Sequence, residues 1–535
     1  MANVTLWKVI IPMGAMLAAL GIFLASINTV ALDLVLQTAI TLSPSSMSYP
    51  MWQKLPVPII AKFYLYHVQN ADDVMHKGAL PIIVEKGPYT YKEEHVKFDI
   101  VWNNNGTVTY KQKRVWTYIS GDVDENITVV NVPLAGLGNT IERLKWCNFL
   151  KNSILDTGAQ VLNMPAIERS LVAFSLLFLK KDTIFVTKTP RQILFDGYND
   201  PLLDAASKLA DLGIKLPGIT SKFGLFFGRN DTWYADGINT IHTGVNGLGE
   251  LGRIVSMNYS TTNPAQDFSG KCAKYTGSPE LFPPYIDGTE KQYVFNNDLC
   301  RSLELTPTGE SEKIHGTEGI QFIMAESMFA NYSVNKENKC YGEHEMPSGM
   351  FNASSCRFGA PIYMSQPHFY QTDPFYLQFL NQSSPPLKPD EKKHGTKFVF
   401  EPVSGVPLDV KARFQVNIKI DRIKEMPQFK NLPNTLFVPF FWSEMLMEMP
   451  ENLAGQMWYL SNLKIILIIT GGVLIGLGCG LTIYGYFHYM TSLRGETYAK
   501  VTDPNIASTE ANNQPESAQE EQEEIVNSDT EVTNT

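Results

Sequence analysis

Two long apolar runs, one near each end of the chain, constrain the fold more than any other feature. From Val9 to Ile27 nineteen consecutive residues carry no charge; as a helix they reach about 28 Å, close to the hydrocarbon thickness of a bilayer. From Ile465 to Phe487 a second run supplies twenty-three more, with Lys464 before it and Arg494 after. A helix that is apolar all round for roughly six turns has no soluble surface to present, so the second run reads as a transmembrane span. A cleaved signal peptide is the alternative for the first. That run is long for a signal core, and no small-residue cleavage site followed by a polar start is evident. The chain therefore divides into a tail (1–8), a first span (9–27), a large intervening segment (28–463), a second span (464–488) and an acidic tail expected to be disordered (489–535).

The intervening segment carries the marks of an exterior compartment. Asn-x-Ser/Thr sequons stand at Asn105, Asn126, Asn230, Asn258, Asn331, Asn352 and Asn381, and none follows the second span. One such triplet is weak; seven in one segment favour a glycosylated, lumenal or extracellular face. Four of the six cysteines, Cys272, Cys300, Cys340 and Cys356, crowd into the same segment and read as disulfide-bonded. Metal ligation is the competing reading, but there is no C-x-x-C pair and the nine histidines lack zinc-ligand spacing, so no metal is expected. Both termini are then cytosolic. The formal charge of −10 arises mostly from residues 502–535, whose nine acids leave −1 for the rest of the chain; a neutral body without basic runs offers nothing to nucleic acid.

Within the exterior segment, Asn28–Leu42 continues as an amphipathic helix. Val96, Phe98, Ile100 and Trp102 then alternate with polar residues, Asn103–Gly106 forms a turn, and Val108, Tyr110, Val115 and Trp116 return as a second strand. Alternation recurs at Phe398–Glu401 and Ala412–Ile420, predicting a mainly antiparallel sheet or barrel. Between about 133 and 213 the period turns helical. There Leu171–Leu179 is almost wholly apolar and stops at Lys180 and Lys181. A buried helix with two cations at its C-terminal dipole explains this step; so does an apolar, basic-rimmed mouth for amphiphiles with an anionic head. Periodicity alone does not choose between them.

Catalytic patterns are scarce. Gly247-Leu-Gly249-Glu-Leu-Gly252 has the spacing of a dinucleotide loop, yet a strand-like stretch follows where a helix N-terminus would be needed, so it reads as a turn. No nucleophile elbow, zinc-protease motif or phosphate-binding loop occurs, and Glu343 and Glu345 read as a solvated turn. A binding protein rather than an enzyme is expected.

Several stretches resemble the class B scavenger receptors, with their fatty-acid translocase, lysosomal integral membrane protein and sensory neuron membrane protein branches. They are Glu85-Lys-Gly-Pro-Tyr-Thr-Tyr91, Gly197-Tyr-Asn-Asp-Pro201, Phe282-Pro-Pro-Tyr285, Asp298-Leu-Cys-Arg301, Ser355-Cys-Arg-Phe-Gly-Ala-Pro361 with Pro367-His-Phe369, and Glu401-Pro-Val-Ser-Gly405 followed by Lys411-Ala-Arg-Phe-Gln-Val-Asn417. The resemblance implies an α+β fold: a large antiparallel β-barrel ectodomain with an apical helical bundle and an apolar tunnel, anchored by two transmembrane helices. It implies a cell-surface receptor that takes fatty acids, lipoprotein lipids, carotenoids or anionic-lipid particles at its head and passes them toward the membrane, with no cofactor. Lys180 falls where the head's ligand-contacting lysine is expected, with Lys181, Phe174 and Phe178 beside it. The family pairing joins Cys272 to Cys340 and Cys300 to Cys356; Gly342 stands where many relatives carry a further cysteine. Cys479 lies about 12 Å inside the end of the second span, which argues against family-style palmitoylation. Two other readings are a trafficking receptor of endosomes or lysosomes that binds a protein cargo, for which Tyr498-Ala-Lys-Val501 fits a Tyr-x-x-apolar sorting signal, and a sensory co-receptor for lipidic odorants. Gly472, Gly476 and Gly480 repeat every four residues and predict a close helix approach, against Gly14 and Ala18 of the first span or in a homo-oligomer through the spans.

Overall fold

The computed structural model describes residues 6–145, 183–204, 207, 221–265, 268–342, 346–357, 359–381, 387–424 and 426–501. Contacts divide the chain into two compact units, one of the terminal helices (residues 1–30 and 464–535) and one of residues 31–463.

The first unit pairs the helices Trp7–Ser26 and Leu463–Val501, both long and apolar enough to cross a membrane. Their contact is made by glycines, though not by those the four-residue repeat predicted. A methyl group on Gly478 would lie 2.5 Å from the backbone of Ala18 and Gly14, and one on Gly471 would lie 2.6 Å from the Gly21 carbonyl, whereas Gly472, Gly476 and Gly480 meet nothing within 4 Å. Gly485, seven residues beyond Gly478, continues the same face against Ile11. A seven-residue repeat keeps one face toward a neighbour along a gently crossing pair, whereas a four-residue repeat drifts around the helix. The second helix also runs on to Val501, so the first part of the expected tail is helical; no proline interrupts it until Pro504.

In the second unit thirteen strands among the described residues join one sheet in which every ladder is antiparallel. Across it the order is Ile254–Met257, Ile238–His242, Thr107–Ser120, Ile83–Asn103, Ile59–Val68, Thr435–Glu448, Pro407–Asp421, Lys397–Phe400, Thr317–Met324, Arg301–Ile314 and Gln292–Asn296, with the short strands Phe351–Asn352 and Ile362–Ser365 branching from Pro407–Asp421. The hairpin about Asn103–Gly106 is present, its turn closed by the Gly106 amide on the Asn103 carbonyl at 3.3 Å. Among the described residues no strand ladder joins the two outermost strands. Gly277 and Ser278 lie between them instead, the Gly277 carbonyl accepting from Ile254 and the Ser278 amide donating to Tyr293. The Gly247–Gly252 segment forms a turn with a strand beyond it.

The main core lies where the helix Val132–Lys145 meets the sheet. Val132, Leu134, Ala135 and Leu137 are buried with Ile418, Ile420, Leu436 and Phe437. A second group around Leu299, Leu303, Phe329, Phe351 and Met364 packs on the far strands. Residues of both groups, Ile418 and Phe441 of the first and Leu299 and Met364 of the second, line one cavity.

Candidate functional site: an apolar cavity with a charged end

Period two places alternate residues of one strand on opposite faces of a sheet, and in Pro407–Asp421 the two faces differ in kind. Ala412, Phe414, Val416 and Ile418 point into a cavity of about 340 Å³, within the range typical of small-molecule sites. Their cross-strand partners Met445, Ser443 and Phe441 line it as well. A bulge after Val416 inserts Phe440 as an extra residue, which also reaches the cavity. Phe223, Leu225 and Phe226 cover another side, and Ile362 and Met364 a third.

The opposite face of the same strand is buried and polar. The Arg413 guanidinium donates to Glu444 at 2.8 Å; Gln415 accepts from the Tyr66 hydroxyl at 2.7 Å and from the His368 amide at 2.8 Å; Asn417 donates to Ser365 at 3.0 Å. Each buried polar group thus has a partner, as burial requires. Beneath them Glu85 accepts from Trp442 at 2.7 Å and pairs with His368, whose ring stacks on His394 at 4.0 Å.

One end of the cavity is ionic. Asp298 accepts from Arg229 at 2.6 Å, Arg114 at 3.0 Å and Arg357 at 3.2 Å, and Arg114 grips Asp236 with two further bonds. Burial alone would raise the Asp298 pKa, but the three guanidiniums hold it well below the usual carboxylate range. Behind this group Glu93 and Glu280 flank His95 at 2.8 Å each, and Lys97, its side chain fully buried, also pairs with Glu280. Burial opposes protonation of His95; the hydrogen bonds to Glu280 and Glu93 outweigh it and push the pKa up to about 9. For Glu280, burial is outweighed by Lys97 and His95, which draw the pKa down to about 2.

These two histidines predict a stability optimum. Burial, then the neighbouring His368, lowers His394 from 6.5 to about 4, so between those values the unfolded chain binds a proton that the native one does not, and stability is lost as pH falls through that window. His95 acts in the opposite sense: its contribution is complete below 6.5 and is lost as pH rises toward about 9. Thermal unfolding of the purified protein from pH 4 to 9 should show a maximum near neutrality, and His394→Gln should flatten the acid limb alone. An acid limb unchanged in the variant would overturn that assignment.

The family-like stretches take distinct places. Glu85 and His368 belong to the polar face, and Asp298 and Arg357 to the ionic end. Arg301 is buried between the rings of Tyr341 and Phe351, at 3.6 and 4.5 Å. The buried Glu401 carboxylate is satisfied by the amides of Val403 and Ser404 and the hydroxyls of Ser404 and Ser461. Cys272 is joined to Cys340 and Cys300 to Cys356, while Cys479 is free. Asn105, Asn126, Asn230 and Asn258 are exposed, and Asn331, Asn352 and Asn381 half-buried; the Asn230 side chain is bonded to the Trp116 backbone and the Asn331 amide to the Met346 carbonyl. Tyr498 is exposed near the end of its helix, which includes Val501. Phe174, Phe178, Lys180 and Lys181 lie outside the described residues. Sequence reasoning missed Arg114, Arg229 and Asp236. Arg114 sits among the polar residues of a recognised hairpin strand, and nothing local marks the other two.

The CD36 family model matches residues 12–489. The chain is 28% identical over 446 residues to "Protein peste" of Drosophila melanogaster, covering 82% of this chain and 74% of that protein. It is also 28% identical to "Scavenger receptor class B member 1" of Rattus norvegicus, covering 81% and 79%. With "Lysosome membrane protein 2" of Rattus norvegicus it shares 26% identity over 487 residues, 90% of this chain and 93% of that one. The chain belongs to the CD36 family and is a membrane protein with two spans.

Proposed function

We propose that the protein is a cell-surface scavenger and lipid receptor that captures lipidic ligands at its helical head and passes them through an apolar path toward the bilayer. The observation that carries this reading is the cavity walled by Ala412, Phe414 and Val416 with their partners Met445, Ser443 and Phe441. An alkyl chain gains roughly 0.8 kcal/mol per CH2 on leaving water, so a dry path with a polar entrance suffices for downhill transfer and no catalytic group is needed. Similarity to a class B scavenger receptor supports the same reading. In it the sheet acts as a barrel around a tunnel, both termini are cytosolic, residues 28–463 are glycosylated outside the cell at the plasma membrane, and lipids or lipoprotein particles are the partners.

Cells displaying equal surface amounts of each variant test it through uptake of a labelled fatty acid and a labelled carotenoid. Ala412→Trp, which fills the cavity, should reduce uptake of both several-fold. Lys180→Ala with Lys181→Ala should reduce uptake of the fatty acid and its sensitivity to salt, with less effect on the carotenoid, because the ammonium groups attract the anionic head. Uptake of neither ligand by the wild type would favour the trafficking receptor instead, the reading to which exposed Tyr498 and similarity to a lysosome membrane protein lend support.

A further inference from the structure

The ionic end of the cavity is out of balance. Among the described residues Arg114, Arg229, Arg357, Lys97 and, when protonated, His95 supply five cations, against four carboxylates from Glu93, Asp236, Asp298 and Glu280. The excess is localised. Arg114 holds Asp236 through two bonds and Arg229 lies 3.8 Å from the same carboxylate, while Arg229 also makes the shortest bond to the Asp298 carboxylate. Arg357 is left with a carboxylate already bonded to two other guanidiniums, its only acidic partner among the described residues, and with the Asp298 carbonyl. Burial together with Arg229 and Arg114 lowers its pKa despite Asp298, as expected of a cation short of compensating charge. The Arg229 Nε, also at the cavity wall, is buried without an acceptor. Arg357 and Asp298 nevertheless keep 36% and 30% of their side-chain surface accessible, and both line the cavity. Phe226, Leu299 and Ile362 line the same cavity.

A guanidinium with spare donors beside apolar walls is complementary to one chemistry, a single anionic oxygen-bearing head on an alkyl chain. We propose that Arg357, assisted by Arg229, anchors the carboxylate of a long-chain fatty acid inside the cavity while the chain lies along Phe414, Val416 and Phe441. The bound carboxylate supplies the missing negative charge, so the cavity selects acids over their neutral esters. The inference rests on the cavity being a lipid site.

Binding of a labelled sixteen-carbon fatty acid, its methyl ester and acetate to the purified protein in detergent separates the two ideas. Wild type should bind the acid at least about tenfold more tightly than the ester and acetate far more weakly than either. Arg357→Gln should lose about tenfold for the acid and leave the ester unchanged, and Arg357→Lys should recover part of the loss. Equal losses for acid and ester, no loss for the acid, or acetate binding as tightly as the long acid would each overturn the anchor. Ala412→Trp should weaken both long ligands; if it weakens neither, the lipid-site reading itself fails, whatever Arg357 does. A carboxyl-labelled acid followed by NMR on wild type gives an answer without any variant: beside Arg357 the bound carboxyl should titrate well below its value in detergent alone, and an unchanged midpoint would refute the pairing.

Discussion

Replacing Cys272 and Cys340 together with alanine is expected to remove on the order of 4 kcal/mol of stability and to cut delivery of the protein to the cell surface. The bridge spans 68 residues, with the Cα atoms 5.7 Å apart, and cross-linking a loop of that length removes much of the unfolded chain's freedom. The second bridge, Cys300–Cys356, spans 56 residues and interleaves with the first. It keeps part of the segment closed, which bounds the loss from above. Substituting both partners avoids a free thiol that could pair wrongly with Cys300, which packs against Cys272. The check is thermal unfolding of the purified variant together with its surface fraction by biotinylation. A variant as stable and as well delivered as wild type would remove the bridge from the account of stability.

Gly478→Leu should separate the two membrane helices, whereas Gly476→Leu should leave them paired. At Gly478 even a Cβ would meet the backbone of Ala18 and Gly14, which cannot rotate aside. The helices must then move apart, at about 1–3 kcal/mol for overpacking. Helix association in a bilayer lacks the hydrophobic drive that could absorb such a loss. At Gly476 the side chain would enter open space. Trp7 and Tyr489 have ring centroids 4.6 Å apart at one end of the pair, so cysteines placed at those positions should crosslink in wild type and in Gly476→Leu. Loss of the crosslink in Gly478→Leu alone is the expected result; equal crosslinking in all three would refute the glycine contact.

These two cases show which features are local. The spans, the hairpin about Asn103–Gly106 and the alternating strand Ala412–Ile420 were legible because each is written in a single window: absence of charge, or a period of two. The same alternation marked one face of that strand as apolar and the other as polar. It could not say that the apolar face lines a cavity and the polar face is buried as well, because which layers cover a strand depends on residues far along the chain. The glycine contact failed at sequence level for a related reason. Gly471, Gly478 and Gly485 are spaced no more suggestively than Gly472, Gly476 and Gly480, and only the partner helix selects between the two faces.

The sequence by itself determined the division into two spans and an intervening segment, the strand and helix periods, and the family stretches. Those properties follow from solvation and backbone geometry acting over a few neighbouring residues. Tertiary structure decided the ionic end of the cavity, where Arg114 meets Asp236 across 122 residues and Asp298 across 184. It also decided that Arg357 pairs with one shared acid, Asp298, whereas Arg114 and Arg229 each reach Asp236 as well. Charge balance is a property of distances in space, which fall to about 3 Å only when the sheet brings separate strands and loops together.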